Sequence, residues 1–174
     1  MSLYIKKSEE VISIYLDFIS KEDLHIYSID ECFLDVTHYL KLYNMTDYEL
    51  AEKILKTIEE KTGLTATCGV GPNLLLAKVA MDTEAKRYKN GIAKWTYADV
   101  ESKLWNIYPL SEMWGIGKRM EYNLNKMNIN MKTEEMMVYE APQVSVIEVE
   151  VEKGFAASEP ALSDFGYGGD LSGN

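Results

Sequence analysis

Hydrophobic positions divide the first part of the chain into segments of helical and of extended periodicity. Apolar side chains recur at helical spacing over residues 3–19, which predicts an amphipathic helix. Two short apolar runs follow, at 25–29 and 32–36, and they predict two strands. The acidic pair Asp30 and Glu31 lies between these runs, where the two strands meet or bend.

The second predicted helix carries signals for both of its ends. Thr46 is followed three residues later by Glu49, which is the spacing of a capping box. Gly63 marks the end of this helix, near residue 61. The remaining patterns predict a strand, a helix, a strand and a helix, at 65–70, 73–82, 91–95 and 99–105. Together the elements predict an α+β fold, a mixed or antiparallel sheet with helices on one face.

The style of the sequence changes at residue 109. Residues 109–130 predict a small helix-turn-helix unit, whose turn is Trp114–Gly117. The second helix of this unit carries its apolar residues, Met120, Leu124 and Met127, at helical spacing.

The composition changes again after residue 130. Residues 144–151 alternate apolar and acidic side chains, a pattern that predicts an exposed strand with Glu148, Glu150 and Glu152 on one side. Residues 154–174 are rich in Gly, Ser and Asp, which predicts disorder. These changes divide the chain into three segments, 1–108, 109–130 and 131–174.

The net charge of the 174 residues is −10, which argues at first against a nucleic-acid partner. Most of this charge belongs to residues 131–174, which hold two basic and nine acidic residues. Residues 1–130 hold sixteen basic and nineteen acidic residues, with basic clusters at 86–89 and 118–126. A near-neutral body with local basic patches can still bind phosphates.

Other features of composition bear on compartment. Nothing approaches eighteen consecutive apolar residues, so we expect no transmembrane helix and no membrane partner. We find no secretory signal, and two cysteines do not make a disulfide framework. The sequence therefore predicts a cytoplasmic protein.

Asp30 and Glu31 are the strongest candidates for chemistry. Neighbouring residues on a strand point to opposite faces, so such a pair often includes at least one solvated acid. At a hairpin tip, however, a backbone bend lets both carboxylates reach one ion. The flanking residues Ile29 and Phe33 are apolar, and acids rarely lie among apolar residues unless they are paired or metal-bound. Spacing alone leaves open a metal site and a surface turn.

The glycines of the 114–117 turn suggest a second kind of site. Gly115 and Gly117 permit a tight turn whose backbone N–H groups can face a DNA phosphate, with Lys118 and Arg119 beside them. Such contacts position a duplex without reading its sequence. The alternative is a simple turn between two helices.

Three motifs, in order along the chain, carry a family resemblance. The run Ser-Ile-Asp-Glu-Cys-Phe-Leu-Asp-Val-Thr at 28–37 resembles the palm signature of the Y-family, translesion-type DNA polymerases. Gly-Val-Gly-Pro-Asn at 69–73, with Leu-Ala-Lys-Val-Ala at 76–80, resembles a second palm segment. The turn at 114–117 resembles the helix-hairpin-helix of the thumb. The resemblance covers residues 3–130 and makes 1–108 a partial palm, 109–130 a thumb segment and 131–174 an unrelated acidic tail, partly disordered.

The resemblance implies a DNA-repair enzyme that adds deoxynucleotides opposite damaged template in the SOS response. Its chemistry would be phosphoryl transfer assisted by two Mg²⁺ ions. Asp30 and Glu31 match catalytic carboxylates of the family; Asp30 would bridge both metals, and Glu31 would bind the ion near the primer terminus. Lys86 is the candidate triphosphate contact, although the family has one residue fewer before this lysine and a proline where Arg87 stands. A solvated basic surface is the alternative for Lys86.

The resemblance also implies partners. They are a primer–template DNA duplex bound independently of sequence at Gly115, Gly117, Lys118 and Arg119, and a deoxynucleoside triphosphate. A sliding clamp is a further partner of the full-length family.

The sequence departs from the family pattern at both ends. The motif of the family's first metal carboxylate does not occur in it, and neither do the fingers or the little-finger domain. We therefore expect an incomplete two-metal site and little polymerase activity from this chain alone. A fusion, a frameshift and a rearranged gene remnant would each explain the pattern. The alternative functions are a non-catalytic module that binds damaged DNA or a partner, and an inert remnant.

Overall fold

The computed structural model describes residues 2–127 and 145–152 of the chain. The end of the predicted thumb segment and most of the predicted acidic tail lie outside these residues. The helices are α1 Ser2–Leu16, α2 Tyr39–Tyr43, α3 Asp47–Thr62, α4 Leu74–Thr83, α5 Asp99–Ser102 and α6 Lys118–Lys126. The strands are β1 Leu24–Ile26, β2 Glu31–Asp35, β3 Thr65–Gly71, β4 Ile92–Lys94 and β5 Val146–Glu152.

Helix α3 has the ends that its sequence predicts. The backbone N–H of Thr46 donates to the Glu49 carboxylate at 2.7 Å, and the Glu49 N–H donates to the Thr46 hydroxyl at 3.2 Å. Gly63 ends the helix at a φ of 71°, a left-handed conformation that glycine adopts without steric cost. The capping box and the glycine stop are both confirmed.

The five strands form one sheet in the order β1-β2-β5-β3-β4. Strand β5 runs antiparallel to both of its neighbours, whereas β3 and β4 are parallel. Glu148 lies opposite Phe33 on one side and Gly69 on the other. β5 therefore joins two strand pairs that do not otherwise contact each other in the described sheet.

The predicted strand at 144–151 is confirmed as β5, but its predicted exposure is wrong. Glu148 is fully buried, and Glu150 is mostly buried. The physical reason is that β5 lies in the middle of the sheet. Its acidic side faces α4, which packs on this part of the sheet, and not solvent.

Helices α1 and α3 cover one face of the sheet. The buried core here combines residues of both helices, such as Tyr15 and Ile54, with the strand residues Leu34, Val70 and Ile147. Because successive strand residues alternate between faces, the side chains of Glu31, Phe33, Glu148 and Glu150 fall on the other face. The larger core therefore lies on the side of the sheet away from the candidate acids.

Helix α4 packs on that second face. A Cβ at Gly69 would lie only 1.9 Å from the carbonyl oxygen of Ala77, so glycine is required where α4 meets β3. The mixed sheet with helical partners is confirmed, with the addition that α4 lies opposite α1 and α3. This contact brings the polar residues of α4 close to the start of β2 and to β5.

The segment after β4 packs beside α4 and leads into α6. Trp95, Leu104 and Met113 join Leu76 and Met81 of α4 in a second buried cluster. A short 3-10 turn, Leu110–Glu112, precedes the glycine turn and α6. The helix-hairpin region is thus attached to the sheet through α4.

Candidate functional site

The β1–β2 hairpin positions the first candidate carboxylate, Asp30. The backbone N–H groups of Tyr27 and Ser28 both donate to the Glu31 carbonyl, at 3.0 and 3.1 Å, which closes the tip. The Ser28 hydroxyl donates to the Asp30 carboxylate at 2.7 Å. Asp30 lines a shallow cleft against α1, beside Lys7 and Tyr15.

Glu31 contacts a different part of the molecule. Its carboxylate accepts a hydrogen bond from Lys78 Nζ of α4 at 2.9 Å, and its side chain is 17% exposed. The two neighbouring acids are therefore engaged on different sides of the hairpin, as strand alternation favours. Their assignment as catalytic residues and metal ligands stays a prediction.

Lys78 is the centre of the polar cluster on this face. Its Nζ lies 2.9 Å from Glu31, 3.3 Å from Asp82 and 3.4 Å from Glu148, although its side chain is only 6% exposed. Burial alone would lower the pKa of Lys78, but the hydrogen bond that Lys78 donates to Glu31 and the charges of Glu148 and Asp82 raise it above its ordinary value. Lys78 is therefore a buried cation held by acids from three elements.

Glu148 brings the third of these acids from β5. Burial raises the pKa of Glu148 to about 8, against the opposing effect of Lys78, and the negative charges of Glu31 and Asp82 raise it further. Neither carboxyl oxygen has a hydrogen-bond partner among the described residues. The buried setting of Glu148 therefore disfavours its charged form, and Lys78 is the neighbouring group that favours it.

Lys86 extends the cluster toward solvent. Its Nζ lies 2.6 Å from Glu150 and 3.5 Å from Asp82. Burial would lower the pKa of Lys86, but Glu150 raises it above the ordinary value. The predicted triphosphate contact is thus engaged by two acids, and its role stays a prediction. We call this set the ion network; its members are Glu31, Lys78, Asp82, Lys86, Glu148 and Glu150.

The ion network can be compared with the needs of Mg²⁺. Carboxylate oxygens are suitable ligands, but a magnesium site needs several of them around one point. Within residues 2–127 and 145–152, no three His, Cys, Asp or Glu side chains are arranged to hold a metal ion. The ammonium group of Lys78 lies where three of the carboxylates converge. The described residues, as placed, therefore do not fit a two-metal centre.

The second candidate site is the start of α6. Gly115 has a φ of 83°, and Gly117 precedes the helix with no side-chain cap on its first N–H groups. Lys118 and Arg119 follow and are exposed. The structure thus brings the four predicted DNA-binding residues together at one helix start; DNA binding there stays a prediction.

An aromatic cluster connects the two sites. The ring centroid of Trp114 lies 6.1 Å from Phe33 of β2 and 5.8 Å from Tyr27 of the hairpin. Trp114 is half-buried and packs against these two rings. The turn before α6 is therefore tied to the strand that starts with Glu31.

Sequence reasoning did not identify the ion network as a unit. Lys78, Asp82 and Lys86 follow each other at spacings of four residues, so their proximity on one helical side was a readable signal. Glu148 and Glu150 gave no comparable signal, because only the pairing of β5 with β2 and β3 places them beside α4.

Helices of the described residues are too short or too polar to cross a membrane.

The profile of the impB/mucB/samB family matches residues 1–82, and that of the helix-hairpin-helix motif of the same family matches residues 97–129. β5 lies outside both matched ranges.

Similar proteins have related names. A Bacillus subtilis (strain 168) relative named as the UV-damage repair protein UvrX is 45% identical over 130 residues, which are 75% of this chain and 30% of the relative. DNA polymerase IV 2 of the same organism is 38% identical over 133 residues, 75% of this chain and 31% of that protein. A solved Y-family DNA polymerase chimera superimposes with a TM-score of 0.62 at 31% identity, over 74% of this chain and 36% of the chimera.

The palm-like sheet and the helix-hairpin-helix unit are thus those of the Y-family DNA polymerases. The chain belongs to the impB/mucB/samB family. It spans about a third of the length of the relatives that it matches.

Proposed function

We propose that this chain takes part in translesion DNA synthesis, the addition of deoxynucleotides opposite damaged template. In this proposal it supplies segments of the palm and the thumb, and it adds few nucleotides when it acts alone. The names of the relatives, a DNA polymerase and a UV-damage repair protein, support the repair setting. We extend this proposal to the cytoplasm and to the SOS response. The observation that carries it is the pairing of a palm-like hairpin with an exposed basic helix start.

The DNA-holding part of the proposal rests on α6. The N-terminus of a helix presents free N–H groups and a positive dipole end, and here Gly117 leaves them without a side-chain cap. Lys118 and Arg119 add two exposed positive charges beside them. Such a surface suits the phosphates of a primer–template duplex whatever its sequence.

The catalytic part of the proposal concerns Asp30, Glu31 and Lys86. In the family chemistry, Mg²⁺ neutralises the triphosphate and activates the primer 3′-hydroxyl. In this chain, Glu31 is engaged by Lys78 and Lys86 by Glu150, while Asp30 lies against α1. This arrangement is the reason to expect weak synthesis from the separate chain. A deoxynucleoside triphosphate and a sliding clamp belong to the proposal for the longer assembly.

A non-catalytic DNA-binding module is the second candidate function. The specific observation that favours it is that Glu31 is engaged in an ion pair with Lys78, whereas the basic start of α6 is accessible. The two candidates share duplex binding and differ in synthesis.

Duplex affinity tests the shared part. We expect micromolar or weaker binding of a gapped duplex, with affinity falling as salt rises. The double variant Lys118→Ala/Arg119→Ala should lower affinity about tenfold and reduce the salt slope by about two. The control Lys41→Ala/Lys56→Ala removes two exposed lysines elsewhere and should leave both quantities unchanged. Equal losses in the two double variants would contradict a specific site on α6.

Primer extension separates the two functions. On a gapped template with Mg²⁺ or Mn²⁺ we expect, at most, slow addition of single nucleotides, abolished by Asp30→Ala. Processive extension by this chain would contradict the expectation of weak activity. Complete inactivity together with duplex binding would favour the non-catalytic module. A third possibility, an inert remnant, predicts neither binding nor a cooperative thermal melt.

A further inference from the structure

The ion network contains more acid than base, yet a lysine occupies its centre. Four carboxyl groups, from Glu31, Asp82, Glu148 and Glu150, surround two ammonium groups. A cluster of this composition is normally a candidate for a divalent cation. Among the described residues, however, no three such side chains are arranged to hold a metal ion. This difference has a physical reason.

The position of Lys78 supplies that reason. Its Nζ is within 3.4 Å of acids from β2, α4 and β5, and its side chain is nearly inaccessible. A divalent ion that used Glu31 and Glu148 together would have to enter where the ammonium group lies. Two cations cannot share that space, since their repulsion in a partly buried environment is strong.

Strand β5 holds this arrangement in place. Glu148 reaches Lys78 from β5, whereas Asp82 reaches it from α4 itself. The register between β5 and β2 also puts Glu150 directly across from Glu31. Without β5, Lys78 would lose the acid on one side, and Glu31 would lose its strand neighbour. β5 lies outside the ranges that match the family, so this closure is a property of this chain.

We propose that Lys78, clamped by Glu148 of β5, takes the place of a divalent cation beside Glu31 and so excludes metal from this carboxylate. The proposal rests on the proposed function in one respect: it treats Glu31 as the acid that a metal would need. It goes further in naming the group that prevents binding and the strand that holds that group. Lys78 and Glu148 are positioning residues in this description.

The gain of a metal site is the direct test. We expect the full chain to bind Mn²⁺ no more tightly than its Glu31→Gln variant, as followed by electron paramagnetic resonance of free Mn²⁺. Lys78→Gln removes the ammonium charge and should tighten Mn²⁺ binding about tenfold or more. The gain should disappear in Lys78→Gln/Glu31→Gln and in Lys78→Gln/Glu148→Gln. The control Lys56→Gln removes an exposed lysine of α3 and should give no gain.

A second measurement does not depend on any variant folding. In nuclear magnetic resonance spectra of the unmodified chain, substoichiometric Mn²⁺ should leave the amide signals of Glu31, Lys78 and Glu148 unbroadened. Selective broadening of these signals would overturn the proposal. So would Mn²⁺ binding by the unmodified chain that Glu31→Gln weakens, or a folded Lys78→Gln variant without the gain.

The outcomes also separate this proposal from the proposed function. Duplex binding through Lys118 and Arg119 is measured without metal and should be the same in Lys78→Gln as in the unmodified chain. If the unmodified chain does not bind duplex DNA, the proposed function is contradicted, and the exclusion of metal by Lys78 is not affected. Metal binding at Glu31 in the unmodified chain contradicts the exclusion by Lys78 alone.

Discussion

The ion network and the start of α6 are both charged, but they treat charge in opposite ways. In the network, acids and lysines from β2, α4 and β5 are paired and largely buried. At α6, Lys118 and Arg119 are exposed beside uncapped backbone N–H groups. Charges that are paired inside the fold stabilise or constrain it, whereas exposed charges of one sign remain free to meet a partner. Two regions that both contain motifs of one family thus differ: the charges of the ion network are paired within the fold, and those at the start of α6 are exposed to solvent.

Two glycines, Gly69 opposite Glu148 of the ion network and Gly117 at the start of α6, should differ most in how they tolerate a side chain. Gly69→Ala would place a methyl group against the backbone of Ala77 and force β3 and α4 apart, which should cost at least about 3 kcal/mol of unfolding free energy. Gly117→Ala, which meets nothing within 4 Å, should cost less than about 1 kcal/mol. Urea denaturation measures both. Similar losses in the two variants would show that the two regions are not packed as differently as described.

The next effect is a pH dependence that belongs to the network. The pKa of Glu148 is raised from an ordinary 4.5 to about 8, so the folded state binds its proton more tightly than the unfolded state does. Its stability contribution is therefore full below about pH 4.5 and is lost as the pH rises toward about 8, on the order of 4–5 kcal/mol in total. Lys78 stays charged in both states over this window. Thermal melts from pH 5 to 8 measure the decline.

Glu148→Gln is the control for this pH dependence. The amide resembles the protonated carboxyl group in shape and does not titrate, so the decline between pH 5 and 8 should become markedly shallower. A decline of equal size in Glu148→Gln would assign it to other groups.

A smaller effect concerns the link between the two regions. Trp114 packs against Phe33 and Tyr27, and its loss in Trp114→Ala should lower stability by about 2 kcal/mol, since the side chain is only half-buried. Trp114→Phe keeps an aromatic ring and should recover most of the loss. Guanidinium denaturation measures both variants, and an unchanged midpoint for Trp114→Ala would contradict the link.

Lys86, at the solvent-facing edge of the ion network, should contribute least to stability. Lys86 is more than a third exposed, so its contacts with Glu150 and Asp82 are screened by solvent. Lys86→Ala should therefore cost only about 0.5–1 kcal/mol, and less in high salt. Chemical denaturation at two salt concentrations measures the difference. A loss as large as that of Gly69→Ala would place Lys86 with the buried members.

Local features of the fold could be predicted from the sequence, because local residues determine them. The capping box of α3, its glycine stop and the helix-hairpin turn each depend on side chains within a few positions. The central place of β5 could not be predicted, because it depends on pairing with strands more than 70 residues away. Alternation in β5 indicated a strand correctly and exposure wrongly, since alternation cannot tell solvent from a helix that presents a lysine, as α4 does with Lys78.

The same limit applies to the candidate site. The hairpin motif identified Asp30 and Glu31 as a unit, but their partners come from other elements: Lys78 from α4, and the cleft beside Asp30 from α1. A motif identifies the acids and does not show which neighbours neutralise them. By contrast, Gly115, Gly117, Lys118 and Arg119 are neighbours in the chain, so their grouping could be predicted directly.

The central position of β5 has a consequence for synthesis on the ribosome. Both neighbours of β5 precede it in the chain, β2 by more than 100 residues, so the sheet has many contacts of high sequence separation. While β5 is still inside the exit tunnel, β2 and β3 present unpaired edges on which other strands can add. Co-translational folding therefore leaves the sheet open until the strand at 146–152 has emerged, and chaperones that bind extended segments have their opportunity in that interval.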